Sequence, residues 1–81
     1  MKRSVQVRVR NSGGQPISSV RVGIEVHQFA AGGFMPNEHT DSSGEAVFNL
    51  DTDTSAEITI YVDGQPKTKR GYIEGQYTIY L

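Results

Sequence analysis

With 81 residues, a formal net charge of −1, 36% hydrophobic residues and no cysteine, the chain has room for one domain, which buries roughly 60 to 65% of its unfolded surface. Disulfide staples and thiolate metal sites are excluded. The apolar runs are too short to span a membrane, and the alternation from Ser4 to Arg10 behind Lys2-Arg3 is unlike a secretion signal, which favours a cytoplasmic location.

The first predicted strand holds Val5, Val7 and Val9 on one face and Gln6, Arg8 and Arg10 on the other. After the turn Asn11-Ser-Gly-Gly-Gln-Pro16, a second strand alternates Val20, Val22, Ile24 and Val26 with Arg21, Gly23, Glu25 and His27. A long Gly-rich connection follows, and then the turn His39-Thr-Asp-Ser-Ser-Gly44 leads into a strand with Ala46, Phe48 and Leu50 on one face. The next strand places Ile58, Ile60 and Val62 against Glu57, Thr59 and Tyr61, and the last places Tyr77, Ile79 and Leu81 against Gln76, Thr78 and Tyr80. Gly13-Gly14 and Gly64 can take positive φ, Pro16 and Pro66 cannot donate to a ladder, and Asp51, Asp53 and Asp63 fit turns better than a calcium loop. Weaker strands are expected within 36–40 and 67–73. A two-residue period throughout, with no helical period, predicts an all-β fold: a two-sheet antiparallel β-sandwich of six or seven short strands, Ig-like in layout.

Chemistry-bearing residues are few. His27 and His39 flank the long connection, where a hairpin would bring them together with Glu25, Glu38 or Asp41, but the spacing matches no zinc site and no metal or other cofactor is expected. Ser42 and Ser43 lie near His39 and Asp41, the residue types of a nucleophilic centre. Turns are built from the same residues, nothing signals an oxyanion hole, and the expectation is a protein that is not an enzyme. Gly32-Gly33 has no lysine or helix behind it and is no phosphate loop. Nucleic acid is not expected, since the net charge is −1 and no base-stacking motif is present.

The strongest binding candidate is the 28–36 connection, which carries Phe29, Gly32, Gly33, Phe34 and Met35 off the alternating strands. Phe and Met are adaptable apolar anchors for a protein partner, and the alternative is that these side chains fold back to cap the core. A second interaction surface is the edge of the final strand, Tyr77 to Leu81, which can pair with another copy or with a client peptide.

Five stretches together carry a family resemblance: Val5 to Val9, Gly14-Gln-Pro-Ile17, Val20 to Val26, Thr40-Asp-Ser-Ser-Gly-Glu-Ala-Val-Phe-Asn-Leu50 and Gly75-Gln-Tyr-Thr-Ile-Tyr-Leu81. The order resembles the carboxypeptidase regulatory-like group, whose relatives are transthyretin-like (prealbumin) folds and collagen-adhesin B-repeats. The resemblance implies a β-sandwich and a non-catalytic module that supports, links or binds. Transthyretin-like hydrolases of 5-hydroxyisourate use histidines, an arginine and a terminal Tyr-Arg-Gly-Ser, whereas this chain has Gln6 and Arg8 early and Tyr77-Thr-Ile-Tyr-Leu81 late. That activity is not expected.

All eight basic residues lie in 1–21 and 67–81, while 22–66 holds eight acids and no base. The resemblance implies that the terminal strands and the 67–73 segment share a sheet, where Arg8, Arg10, Lys67, Lys69 and Arg70 would form a basic face that steers an acidic partner. The alternative is cross-strand pairing of these charges with Glu45 and Glu57.

The residues thus predict a small non-enzymatic binding or accessory module, with a transthyretin-like hydrolase and a purely structural unit of a larger assembly as alternatives. Adhesin repeats often weld their first and last strands through a lysine–asparagine amide bond. Here the first strand has no interior lysine and the last has no asparagine. The intact mass is therefore expected to equal the sequence mass, and a mass lower by one ammonia would show that such a bond had formed.

Overall fold

A strand with one apolar face is stable only when that face meets another, and the chain solves this by stacking two sheets. The computed structural model describes residues 2–28, 32–52 and 55–81. Phe29 and Asp53 lie outside the described residues. The strands are β1 (Lys2–Arg10), β2 (Arg21–His27), β3 (Gly33–Phe34), β4 (Glu38–His39), β5 (Glu45–Asp51), β6 (Glu57–Val62), β7 (Gln65–Pro66), β8 (Gly71–Tyr72) and β9 (Gln76–Tyr80).

The first sheet has the order β5-β1-β9, and the second runs β3-β2-β6-β7, with β4 also on β2 and β8 also on β6. All pairings are antiparallel except that of β1 with β9, which is parallel. That departs from an all-antiparallel sandwich. The alternation of apolar residues determines which face is buried and is blind to the direction of the neighbour.

The short strands come from two interrupted edges. From Glu25 to Val22, β2 passes through Ile24 and Gly23, whereas the facing chain from Phe34 to Glu38 passes through Met35, Pro36 and Asn37. One extra residue makes this a β-bulge, with a proline that cannot donate to the ladder. On the far side, Lys67 N donates to Ile60 O at 2.8 Å, and Thr68 Oγ1 then accepts from Ile60 N at 3.0 Å before β8 resumes the pairing. Counting each interrupted edge as one strand leaves seven among the described residues, and β4 and β8 fall within the two weak segments expected from sequence.

Between the sheets Val5, Val7, Val9, Ala46, Phe48, Leu50 and Ile79 face Val22, Ile24, Val26, Ile58, Ile60 and Val62, all buried. Ala56 and Ile73 add to this core from the connections. Val20 and Tyr77 are only partly buried against it, and Leu81 is exposed, so the alternation overreaches at strand ends. Tyr77 Oη accepts from Glu74 N at 2.9 Å and donates to Tyr72 O at 3.3 Å, pinning the crossing from β8 to β9.

Two turns use the same device. Asn11 Oδ1 accepts from Gly13 N and Gln15 N at 2.9 and 3.0 Å, and Asp41 Oδ1 accepts from Ser43 N and Glu45 N at 2.9 and 3.0 Å. In each, the first residue's amide donates to the carbonyl four residues on, and its own carbonyl accepts the amide three residues on. The fourth positions, Gly14 and Gly44, have φ of 83° and 74°. Their surroundings differ. A Cβ on Gly14 would meet nothing within 4 Å, whereas one on Gly44 would lie 2.7 Å from Val9 O and 2.9 Å from Pro16 Cβ.

The pair separates backbone strain from close packing. Gly14→Ala is expected to cost about 1–2 kcal/mol, the left-handed penalty alone. Gly44→Ala adds a backbone clash and is expected to cost about 2–5 kcal/mol. Urea unfolding midpoints of the two variants test this, and equal losses would rule out close approach as the reason for Gly44.

Candidate binding surface

The outward face of the second sheet is built from alternate positions of β2 and β6. Gly23 stands opposite Tyr61, Glu25 opposite Thr59 and His27 opposite Glu57. On the other side of β2, Phe34 stands opposite Glu25 and His39 opposite Arg21. Gly23 puts no side chain into this row, and a Cβ there would lie 2.8 Å from Asn37 Oδ1, so the bulge at Met35-Pro36-Asn37 closes over the gap.

A groove of about 400 Å³ results, with Gly23 as its floor and Arg21, Phe34, Pro36, Asn37 and Tyr61 around it. The Phe34 and Tyr61 rings lie 5.2 Å apart at 57°, a tilted aromatic contact. Phe34 is nonetheless 63% exposed, a large aromatic in ring contact with Tyr61. A hollow of about 490 Å³ at the Lys2 and Asp51 ends of β1 and β5 has no aromatic wall.

Polar contacts fix the aromatic pair. Tyr61 Oη donates to Glu25 Oε1 at 2.9 Å, and His27 Nε2 lies 3.0 Å from Thr59 Oγ1 and 3.7 Å from Glu25 Oε1. Hydroxyl, imidazole and carboxylate are thus adjacent, but not in the order of a catalytic triad. The carboxylate and the hydroxyl approach the same ring nitrogen, so Glu25 cannot hold the opposite nitrogen as an orienting acid would. Thr59 is also buried, and Glu25 is already engaged by Tyr61. The arrangement orders a surface.

The residues singled out from sequence divide among several environments. Phe29 lies outside the described residues. Gly32 is exposed close to the β2 backbone, Gly33 pairs with Val26, Phe34 faces outward, and Met35 turns inward against the core. An exposed side chain, Phe34, and a core-packed one, Met35, are therefore neighbours in one connection. His27 and His39 pair near opposite ends of β2 and do not converge. Asp41 serves its turn, and Ser42 and Ser43 are exposed within it.

The shared basic face needs correction. Arg8 and Arg10 lie on β1 in the first sheet, whereas Lys67, Lys69 and Arg70 follow the interrupted edge of the second. Arg8 pairs with Glu45 at 3.0 Å and Arg70 with Glu57 at 2.9 Å, while Arg10 Nη1 donates to Gly14 O at 2.9 Å. Local carboxylates thus take up two of the five charges. The sequence reading missed Tyr61, Glu25 and Asn37 as surface partners of Phe34. A glycine inside an otherwise alternating strand was the available signal.

The hydrogen bond to Glu25 raises the Tyr61 phenol above its ordinary value, with partial burial and the carboxylate's charge acting in the same direction. A raised folded-state value means that this contribution to stability is present below the ordinary tyrosine range and is lost as pH rises through the shifted value. Glu25→Ala is expected to bring the Tyr61 titration back down, read by NMR of a ring-labelled tyrosine. An unchanged Tyr61 titration would show that the hydrogen bond does not hold in solution.

Among the described residues no helix is long and apolar enough to cross a membrane. Among the curated proteins none matches the chain. The family model of the macroglobulin domain MG4 matches residues 3–74, from β1 through β8. This agrees with the β-sandwich part of the resemblance seen in the sequence and does not extend to the carboxypeptidase regulatory-like group. A match over that much of the fold shows that the chain belongs to the macroglobulin MG4 domain family.

Proposed function

We propose that the domain is a non-catalytic accessory module that docks to another protein through the outward face of its second sheet. Phe34 is the observation that carries this reading: an aromatic 63% exposed, propped on Tyr61 beside a groove with a glycine floor. A single exposed apolar side chain is ordinary on a protein surface, but one fixed by a neighbour and set beside a hollow is already ordered for contact. The chemistry suited to the groove is a branched or aromatic side chain from the partner, packed between Phe34 and Pro36. Arg21 and Asn37 offer hydrogen-bond donors at its rim.

Membership in the MG4 family supports the accessory role, since these are modules of macroglobulins. The same-nitrogen geometry around His27 speaks against the hydrolase alternative. A purely structural unit would also need a face toward its neighbours, and the Phe34 groove is the candidate for that face.

Phe34→Ser removes the anchor and leaves the core untouched, so folding is expected to persist with a loss of about 0.5–1.5 kcal/mol from the ring contact. A photoreactive phenylalanine analogue at position 34 is expected to crosslink a protein that the native chain retains and the serine variant releases. Equal retention by both chains would remove this face from recognition.

A further inference from the structure

We propose that β9 is an interaction edge that pairs antiparallel with β9 of a second copy of this chain. It rests on a different surface from the Phe34 groove and on different observations.

The sandwich has four lateral edges among the described residues, and three carry protection. The β3/β4 edge is bulged at Pro36, and the β7/β8 edge has Pro66 followed by Lys67, Lys69 and Arg70. The β5 strand carries Glu45 and Asp51, and β4 packs beside it. Prolines, bulges, charges and covering segments all discourage another strand from joining. β9 reads Gln76-Tyr-Thr-Ile-Tyr80, with no charge, proline or glycine, and its pairing with β1 shows no bulge. It also lies beyond residues 3–74, where the family model matches.

Its register shows which backbone groups face outward. Gln6 N donates to Gly75 O at 3.0 Å and Leu81 N donates to Arg10 O at 2.8 Å, with Gln6 opposite Gln76, Arg8 opposite Thr78 and Arg10 opposite Tyr80. In a parallel ladder this turns the amides and carbonyls of residues 75, 77, 79 and 81 toward β1. The N–H and C=O groups of Gln76, Thr78 and Tyr80 therefore point away from the sheet.

The occupant follows from self-complementarity. With the two-fold axis at Thr78, Gln76 stands opposite Tyr80 of the second copy and Thr78 opposite its own counterpart, giving about six ladder hydrogen bonds. On the inner face Tyr77 stands opposite Ile79 of the second copy and extends each core across the junction. No charged side chain of β9 meets a like charge across the axis. The two three-stranded sheets then become one continuous sheet through paired β9 strands.

Thr78→Pro tests this, because the N–H that it removes points outward and is not used in the pairing with β1. Sedimentation equilibrium of the full chain over roughly two decades of concentration is expected to show a monomer–dimer equilibrium for the native protein and monomer for Thr78→Pro. Thr78→Glu places two carboxylates face to face across the axis beside Arg8. It is expected to weaken the dimer roughly fivefold or more with its circular dichroism and melting retained, which covers the case in which the proline variant fails to fold. Amide exchange at Thr78 and Tyr80 is expected to slow as the dimer fills. A native chain that stays monomeric throughout overturns the proposal and leaves the edge to an extended segment of a different protein. So does a dimer undiminished by both substitutions.

Discussion

The close approach of Gly44 to the backbone of Val9 is the constraint on which much of the sandwich depends. Gly44 O accepts from Val9 N at 2.8 Å, and Val9 O in turn accepts from Ile17 N at 3.0 Å. A strand of the first sheet is thereby joined to two segments that cross between the sheets. Thr40, buried one residue before this turn, completes the junction: its Oγ1 donates to Ile17 O at 2.7 Å and accepts from Val20 N at 3.0 Å. Buried backbone groups at a crossing have no ladder to join and must find partners locally. The Thr40-Asp-Ser-Ser-Gly44 turn supplies them, and with its partners fixed β5 is positioned against β1 in a single register.

That junction explains why the chain can change sheets repeatedly without exposing its core. It runs from the first sheet at β1 through the second at β2, β3 and β4, back to the first at β5, through the second at β6, β7 and β8, and ends in the first at β9. The early crossing is tied by Asn11 and Thr40, the one into β5 by Asp41, and the last by Tyr77. Each tie is a polar side chain satisfying the backbone where strand pairing stops. The bonds at Asn11, Asp41 and Tyr77 are exposed and individually modest, whereas those of Thr40 are part-buried, where an unpaired amide or carbonyl would be costly.

Much of this was legible in the sequence for a physical reason. Val5, Val7 and Val9, and likewise Val22, Ile24 and Val26, alternate because one face of each strand is buried, and a side-chain period of two survives any arrangement of neighbours. The turn at Asp41 was legible because its residue types carry their own hydrogen bonds. Partner identity was not. Whether β1 pairs with β9 in parallel, or whether Arg8 shares a sheet with Lys67, depends on long-range topology that alternation does not encode. Tyr61 read as an outward residue, but only the register places it against Phe34 and Glu25.

The bulge at Met35-Pro36-Asn37 links edge protection to the shape of the surface beside it. An extra residue in an edge strand must push the chain out of the ladder, and a proline at that point removes a donor that a foreign strand would use. Here the displaced chain folds Met35 inward onto the core and carries Asn37 over Gly23, while Phe34 just before it remains outward on Tyr61. The irregularity that closes this edge to backbone pairing therefore forms the wall of the hollow beside it. What that side presents is a shaped groove lined by side chains and not an open ladder. The unbulged, uncharged β9 offers the opposite chemistry, a row of outward backbone donors and acceptors. Two edges of one small sandwich thus differ in kind, and a single proline-containing bulge accounts for much of that difference.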